Sequence, residues 1–345
     1  MSGLFDYWLP NGSAIHRFDL MNLTCPHQPP VESSPQWPIY TLIFPVGLVA
    51  ITMSIILLSL LWRKMKHLFN TIGLFLVVMA PFDLLAIVCY TLWHVWRHSM
   101  LWDWEIVYTT LIFHINSMIG CSYLGIDVVS YLLLFATVEL LCLVTANRNR
   151  GFCKVFIRIP AIITCIMFGA LIGWHVFVAF NVDLHLDCAS VYSQYILVQQ
   201  TSVLISTGMS IYPWLAIVTP LFGTVTVLLL TLFIKLSCKM RTVCCCCVED
   251  ERKSSNRQVP FKRIATAVGF ASVTHLVMCL CPRLALLKPN IIAIILPLSR
   301  SNWQWIMAGS ELAIAVSYIV RSALTLAILT TDLFTPTHEG YVLAR

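Results

Sequence analysis

Charge is what this 345-residue chain has least of: only 11% of it is Asp, Glu, Lys or Arg, against about 25% in ordinary soluble domains. With 59% of the residues hydrophobic, a soluble core cannot absorb the excess, and a water-soluble globular fold is excluded. Short segments of alternating polarity are missing as well, which excludes a membrane β-barrel. No stretch near the start has the short apolar core and small-residue cleavage site of a signal peptide, so the first apolar block is expected to act as the insertion signal. Internal repeats and paired interrupted apolar segments are lacking too, which argues against a transporter. One spacing invites an enzyme reading: His94 and His98, four apart, with Asp103 behind them, would suit a zinc-dependent membrane hydrolase. A second such set on another segment is missing, so neither an enzyme nor a metal or other cofactor is expected.

What the chain does have is long apolar blocks. Crossing about 30 Å of hydrocarbon takes roughly 20 helical residues. Seven blocks meet that length: Ile39 to Trp62, Phe69 to Trp93, Ile106 to Thr145, Val155 to Phe180, Ile211 to Leu236, Ile264 to Leu287 and Trp303 to Thr330. The expected fold is all-α, a seven-transmembrane helix bundle. The third block is too long for one perpendicular helix, so its first turns are expected to stand clear of the bilayer or to belong to a loop.

Orientation is read from the cations. Arg63, Lys64 and Lys66 follow block one; Arg148, Arg150, Lys154 and Arg158 follow block three; Lys235, Lys239, Arg241, Arg252, Lys253, Arg257, Lys262 and Arg263 follow block five. Most of the 22 Lys and Arg therefore fall on alternate loops, which are expected to face the cytoplasm. The organisation expected is an extracellular leader (1–38), the bundle (39–330) with a third cytoplasmic loop at 237–262, and a short cytoplasmic tail (331–345). Sequons at Asn11 and Asn22 agree with a glycosylated leader. The net charge of +6 suits anionic membrane lipid, and no nucleic-acid partner is implied. The six tryptophans Trp93, Trp96, Trp102, Trp104, Trp303 and Trp305 are expected to form an interfacial belt.

Of 14 cysteines, Cys25 and Cys188 alone sit clearly outside. They are expected to pair, with two separate thiols as the alternative and Cys121 as a rival partner for Cys188. The run Cys244, Cys245, Cys246 and Cys247 beside Lys239 and Arg241 predicts juxtamembrane palmitoylation, since zinc sites take spaced cysteine pairs. The stretch Glu249 to Gln258 is polar and expected to be mobile.

Several local patterns then line up. Met79-Ala-Pro-Phe-Asp83-Leu-Leu in span two, Pro220 in span five, and Cys279-Leu280-Cys281-Pro282 in span six, behind Lys262 and Arg263, fall at matching places of a known architecture. The chain resembles the rhodopsin-like (class A) G-protein-coupled receptors. The resemblance implies that Asp83 stands at the family's sodium-site aspartate, Pro220 at its bulge and Pro282 at its hinge. It also shows departures. Glu139-Leu140-Leu141 keeps the acid of the span-three motif and loses its Arg; span one has Ser54 for the usual Asn; Arg321-Ser322-Ala323-Leu324-Thr325 stands where Asn-Pro-x-x-Tyr is expected; and Ile115 stands near the usual extracellular cysteine. Virus-encoded members of the family often lose these same motifs.

The resemblance implies a plasma-membrane receptor with altered G-protein coupling. The alternative is a non-signalling decoy or trafficking protein of the same shape. An extracellular ligand would meet Met118, Ser122, Leu280, Arg283 and Glu311, with the segment around Cys188 as a lid. Arg283 would bind an anionic ligand group or pair with Glu311. Asp83 and Arg321 would lie at one depth in adjacent spans, and an unpaired charge in hydrocarbon costs several kcal/mol, so they are expected to pair; snorkelling of Arg321 is the alternative. Asp127 halfway along span three is expected to be protonated or bonded to Ser130 or His175. Glu139 is expected to meet Arg148 or Lys154, and His275 a backbone carbonyl or the neighbourhood of Arg321.

Overall fold

The computed structural model describes residues 37–68, 71–99, 105–145, 155–178, 180–184, 195–199, 211–244, 255–287 and 300–330. The apolar blocks form helices: α1 (Trp37–Arg63), the one-turn α2 (Met65–Leu68), α3 (Gly73–Ser99), α4 (Glu105–Ile112), α5 (Ile115–Thr145) and α6 (Val155–Val178). Two strands, β1 (Phe180–Leu184) and β2 (Tyr195–Gln199), pair antiparallel with Phe180 opposite Gln199. Then come α7 (Thr219–Cys244), α8 (Ser255–His275), α9 (Cys281–Leu287) and α10 (Arg300–Thr330).

Six of these stretches are long and apolar enough to cross a membrane: Thr41–Arg63, Gly73–Trp96, Ile115–Cys142, Ile211–Ile234, Arg263–Leu284 and Trp305–Thr330. A shorter apolar helix, Arg158–Trp174, lies within α6. The chain is a multi-pass helical membrane protein. Outward faces carry Leu48, Val49, Ile55 and Ile56 on α1 and Leu229, Leu230, Leu232 and Phe233 on α7. Such ridges are stable against lipid chains, while the backbone polar groups beneath them are satisfied within the helices.

The helices close into a ring. α1 packs on α3 and α10, α8 packs on α10, and α5 touches α3, α6, α7 and α8. Its central place makes α5 the hub, and α3 and α5 are the most enclosed of the six. The approach to α6 is set by Gly169 and Gly173, four apart: an added Cβ would come within 2.8 Å of the Val128 backbone at one and of the Leu124 Cα at the other. Without a hydrophobic force between helices in lipid, such small-residue stripes let dispersion contacts do the holding.

Several expectations are refined by the structure. The third block is broken by a turn at Phe113 and His114, where His114 N–H donates to the Leu111 carbonyl; the first piece, α4, packs on α3. Beyond α6, β1 and β2 form a two-stranded antiparallel pair within the segment expected as a loop. Helix extends into the expected third loop (237–262) from both sides, α7 to Cys244 and α8 from Ser255, while the apolar spans themselves end at Ile234 and begin at Arg263. Trp93 and Trp96 do not stand in an interfacial belt but are buried, Trp96 stacked on Tyr108 of α4 at 5.5 Å. Asn11, Asn22, Cys25, Cys188 and Cys245 to Cys247 lie outside the described residues, while Cys244 is the last residue of α7.

Candidate functional site

Two prolines shape the site. A proline inside a helix has no N–H to give, and its ring presses on the carbonyl four residues back. Ahead of Pro220 the helix widens into a π turn, Trp214–Val218, with Thr219 N–H donating to the Trp214 carbonyl. Ahead of Pro282 the same happens over Leu276–Leu280, with Cys281 N–H donating to the Leu276 carbonyl. The widening relieves the clash. In the π pattern Pro220 would have donated to Leu215, and that orphaned carbonyl is filled from α5, where the Tyr131 hydroxyl donates to it at 2.6 Å.

Around the second π turn the core is polar. Arg283, just beyond Pro282, is 1% exposed, and its Nη1 donates to Asp127 Oδ1 on α5 at 2.6 Å. Its Nη2 donates to the Tyr212 hydroxyl, which in turn donates to Asp127 Oδ2 at 3.0 Å. These three groups close a triangle in which the carboxylate accepts from both neighbours. The Tyr123 ring lies under the guanidinium at 4.7 Å, adding a cation–π contact. Charge is thus neutralised within the bundle, as hydrocarbon surroundings demand.

On the other side of the π turn stands His275. Arg321 can only donate, so the 2.6 Å contact between its Nη1 and His275 Nδ1 requires a bare Nδ1. The proton then sits on Nε2, which donates to Ser130 Oγ at 2.8 Å, and the Ser130 hydroxyl donates in turn to the Ile126 carbonyl at 2.7 Å. The second guanidinium nitrogen, Nη2, donates to Asp83 Oδ1 of α3. Arg321 also lies over the Tyr318 ring at 4.9 Å. One arginine therefore ties α10 to α3 directly and to α5 through α8.

A third pair joins α5 to α6. Arg158 donates to Glu139 Oε1 from Nε at 2.7 Å and approaches it with Nη2 at 2.5 Å. Farther on, Lys64 Nζ donates to the Leu329 carbonyl at 2.9 Å in the last turn of α10, where orphan carbonyls collect.

The structure brings Asp83 and Arg321 together and corrects other expected pairings. Arg283 meets Asp127 and not Glu311; Asp127 meets Arg283 and Tyr212 and not Ser130. Glu139 meets Arg158, which belongs to the first turns of α6 rather than to a loop; Arg148 and Lys154 lie outside the described residues. Met118, Ser122, Leu280 and Glu311 are all buried, Leu280 at the end of the π turn and Ser122 with no partner for its hydroxyl among the described residues. The Glu311 main-chain carbonyl accepts from Tyr90 at 2.8 Å. Cys279 is fully buried, and Leu140 packs against the core. His94 is held between the Tyr90 and Trp93 rings at 4.5 and 4.6 Å.

Tyr212 and Tyr131 were not singled out by sequence reasoning, and Arg158 was read only as a cation of the second cytoplasmic connection. A tyrosine or arginine inside an apolar block is itself the signal, because a buried polar tip needs a partner. No protein-family model matches the chain, and no curated protein matches it either.

Proposed function

We propose that the chain is a seven-span, receptor-shaped protein of the plasma membrane, built like the rhodopsin-like receptors and altered in its coupling. In this reading α6 also crosses, as the fourth of seven spans, the N-terminus lies outside, and the cation-rich connections face the cytoplasm. The distribution of Lys and Arg supports that orientation. The observation that carries the reading is the π turn before Pro282, bracketed by two contacts to α5: Ser130 to His275 on one side and Asp127 to Arg283 on the other. A hinge so bracketed has a defined resting state that a ligand must compete with. An extracellular ligand would act through the Met118, Ser122, Leu280 and Arg283 region by drawing Arg283 away from Asp127. Lipid and a cytoplasmic heterotrimeric G protein are the partners of this reading; glycans on Asn11 and Asn22 and acyl chains on Cys244 to Cys247 would complete it.

A non-signalling role, as decoy or trafficking partner, is favoured by one specific observation. Glu139 is engaged by Arg158, and the next residue is Leu140, packed on the core, so the arginine that would meet a G protein is missing. The test is a constitutive G-protein activation panel in cells, comparing the chain with Leu140→Arg. Weak or absent activation by the natural chain and a gain with the variant are expected. Strong activation of transport or hydrolysis instead, measured as flux in liposomes or metal-dependent turnover, would remove the receptor reading.

A further inference from the structure

Cys89 on α3 and Cys121 on α5 are half-buried thiols. Helix packing brings them to one level. At Gly125, one turn along α5 from Cys121, an added Cβ would lie 2.7 Å from the Ala86 Cβ and 2.8 Å from the Phe82 carbonyl oxygen. The two backbones touch there. Consecutive spans run in opposite directions, so one turn onward from that contact each helix presents a cysteine: Cys89 follows Ala86 by three residues, and Cys121 precedes Gly125 by four. The Cys121 thiol is thus a near neighbour of the Cys89 thiol. A disulfide needs Cα atoms about 5.5–6 Å apart. Ordinary helix pairs, with axes about 8–10 Å apart, seldom offer that spacing, and a glycine contact does.

We propose that Cys89 and Cys121 are a modification site, closing as a cross-helix disulfide between α3 and α5 when the chain matures. The inference rests on the orientation given above, which puts this level in the lumen-side half of the two spans, about two helical turns inside their ends. One thiolate attacks a sulfur of a small disulfide of the oxidised-glutathione class and expels one glutathione thiolate. The second cysteine then attacks the mixed disulfide and expels the other. One S–S bond forms and one breaks, and the two cysteine protons and both electrons end on the two expelled glutathione thiols. The bond locks the hub helix to its neighbour and removes Cys121 as a rival partner for Cys188.

The test uses the full chain in cells, with free thiols blocked by N-ethylmaleimide before lysis and the purified protein digested without reduction. Peptides carrying Cys89 and Cys121 are expected to travel joined, to separate on reduction, and to be unlinked in Cys121→Ser. Maleimide on both cysteines, or a peptide joining Cys121 to Cys188, overturns the inference. Tags in the connections after α1 and after α7, labelled on intact cells in parallel, separate the two failures. Free thiols with shielded tags defeat the disulfide alone, and tags labelled from outside defeat the orientation as well.

Discussion

His275 lies between Arg321 and Ser130, its two ring nitrogens doing opposite work: Nδ1 accepts from the guanidinium at 2.6 Å and Nε2 donates to the hydroxyl at 2.8 Å. A neutral imidazole with the proton on Nε2 satisfies both, whereas a cation at this place would turn an N–H toward Arg321.

That relation makes His275 sensitive to the kind of polar tip it carries. His275→Leu leaves an arginine N–H without an acceptor and is expected to cost about 1–3 kcal/mol. His275→Gln, whose amide both accepts and donates, should lose less. Thermal unfolding in detergent of the two variants checks the order, and equal losses would mean that the ring fills space only.

Arg321→Ala leaves Asp83 buried without its counter-charge, at an expected cost of about 3–5 kcal/mol and with loss of surface expression. Adding Asp83→Asn should restore expression. Flow cytometry of tagged cells reads both; a double variant as poor as the single one would show that Arg321 matters through α8 instead.

Asp127 and Arg283 form a pair of the same kind. Asp127→Leu alone is expected to destabilise by about 3–5 kcal/mol, while Asp127→Leu with Arg283→Met should come back near the natural stability, because apolar replacement of a whole buried pair is often neutral. If the natural pair is what holds the hinge at rest, the double variant should also raise basal signalling in any assay where the chain signals at all.

Glycine positions divide by what surrounds them. Gly173→Ala would press a methyl onto the Leu124 backbone, 2.8 Å from its Cα, and is expected to reduce the folded yield. Around Gly269 nothing lies within 4 Å, so Gly269→Ala should be tolerated and add about 0.5–1 kcal/mol through helix propensity. Melting temperatures of the two variants should move in opposite directions.

Much of this was legible in the residues. Apolar run length marked each long helix, and the expense of charge in hydrocarbon, taken with the register the resemblance implied, coupled Asp83 with Arg321, 238 residues apart. Asp127 and Arg283 were harder. Both stood out as buried charges, but the depth of Arg283 depends on how far the π turn before Pro282 shifts its side chain around the helix, and periodicity does not encode that shift. Glu139 takes its partner Arg158 from the first turns of α6; the bases expected for it, Arg148 and Lys154, lie outside the described residues. The Gly169-Ala-Leu-Ile-Gly173 spacing was in plain view and carries the α5–α6 contact; hydropathy passes over it because glycine is neither strongly apolar nor polar.

The order of synthesis gives the Asp83–Arg321 pair one more consequence. A ribosome releases α3 long before α10, so a newly inserted chain carries an unneutralised acid until α10 arrives. Truncated or stalled products keep that mark, and the cell's membrane quality control has a chemical reason to retain them and pass only the finished chain.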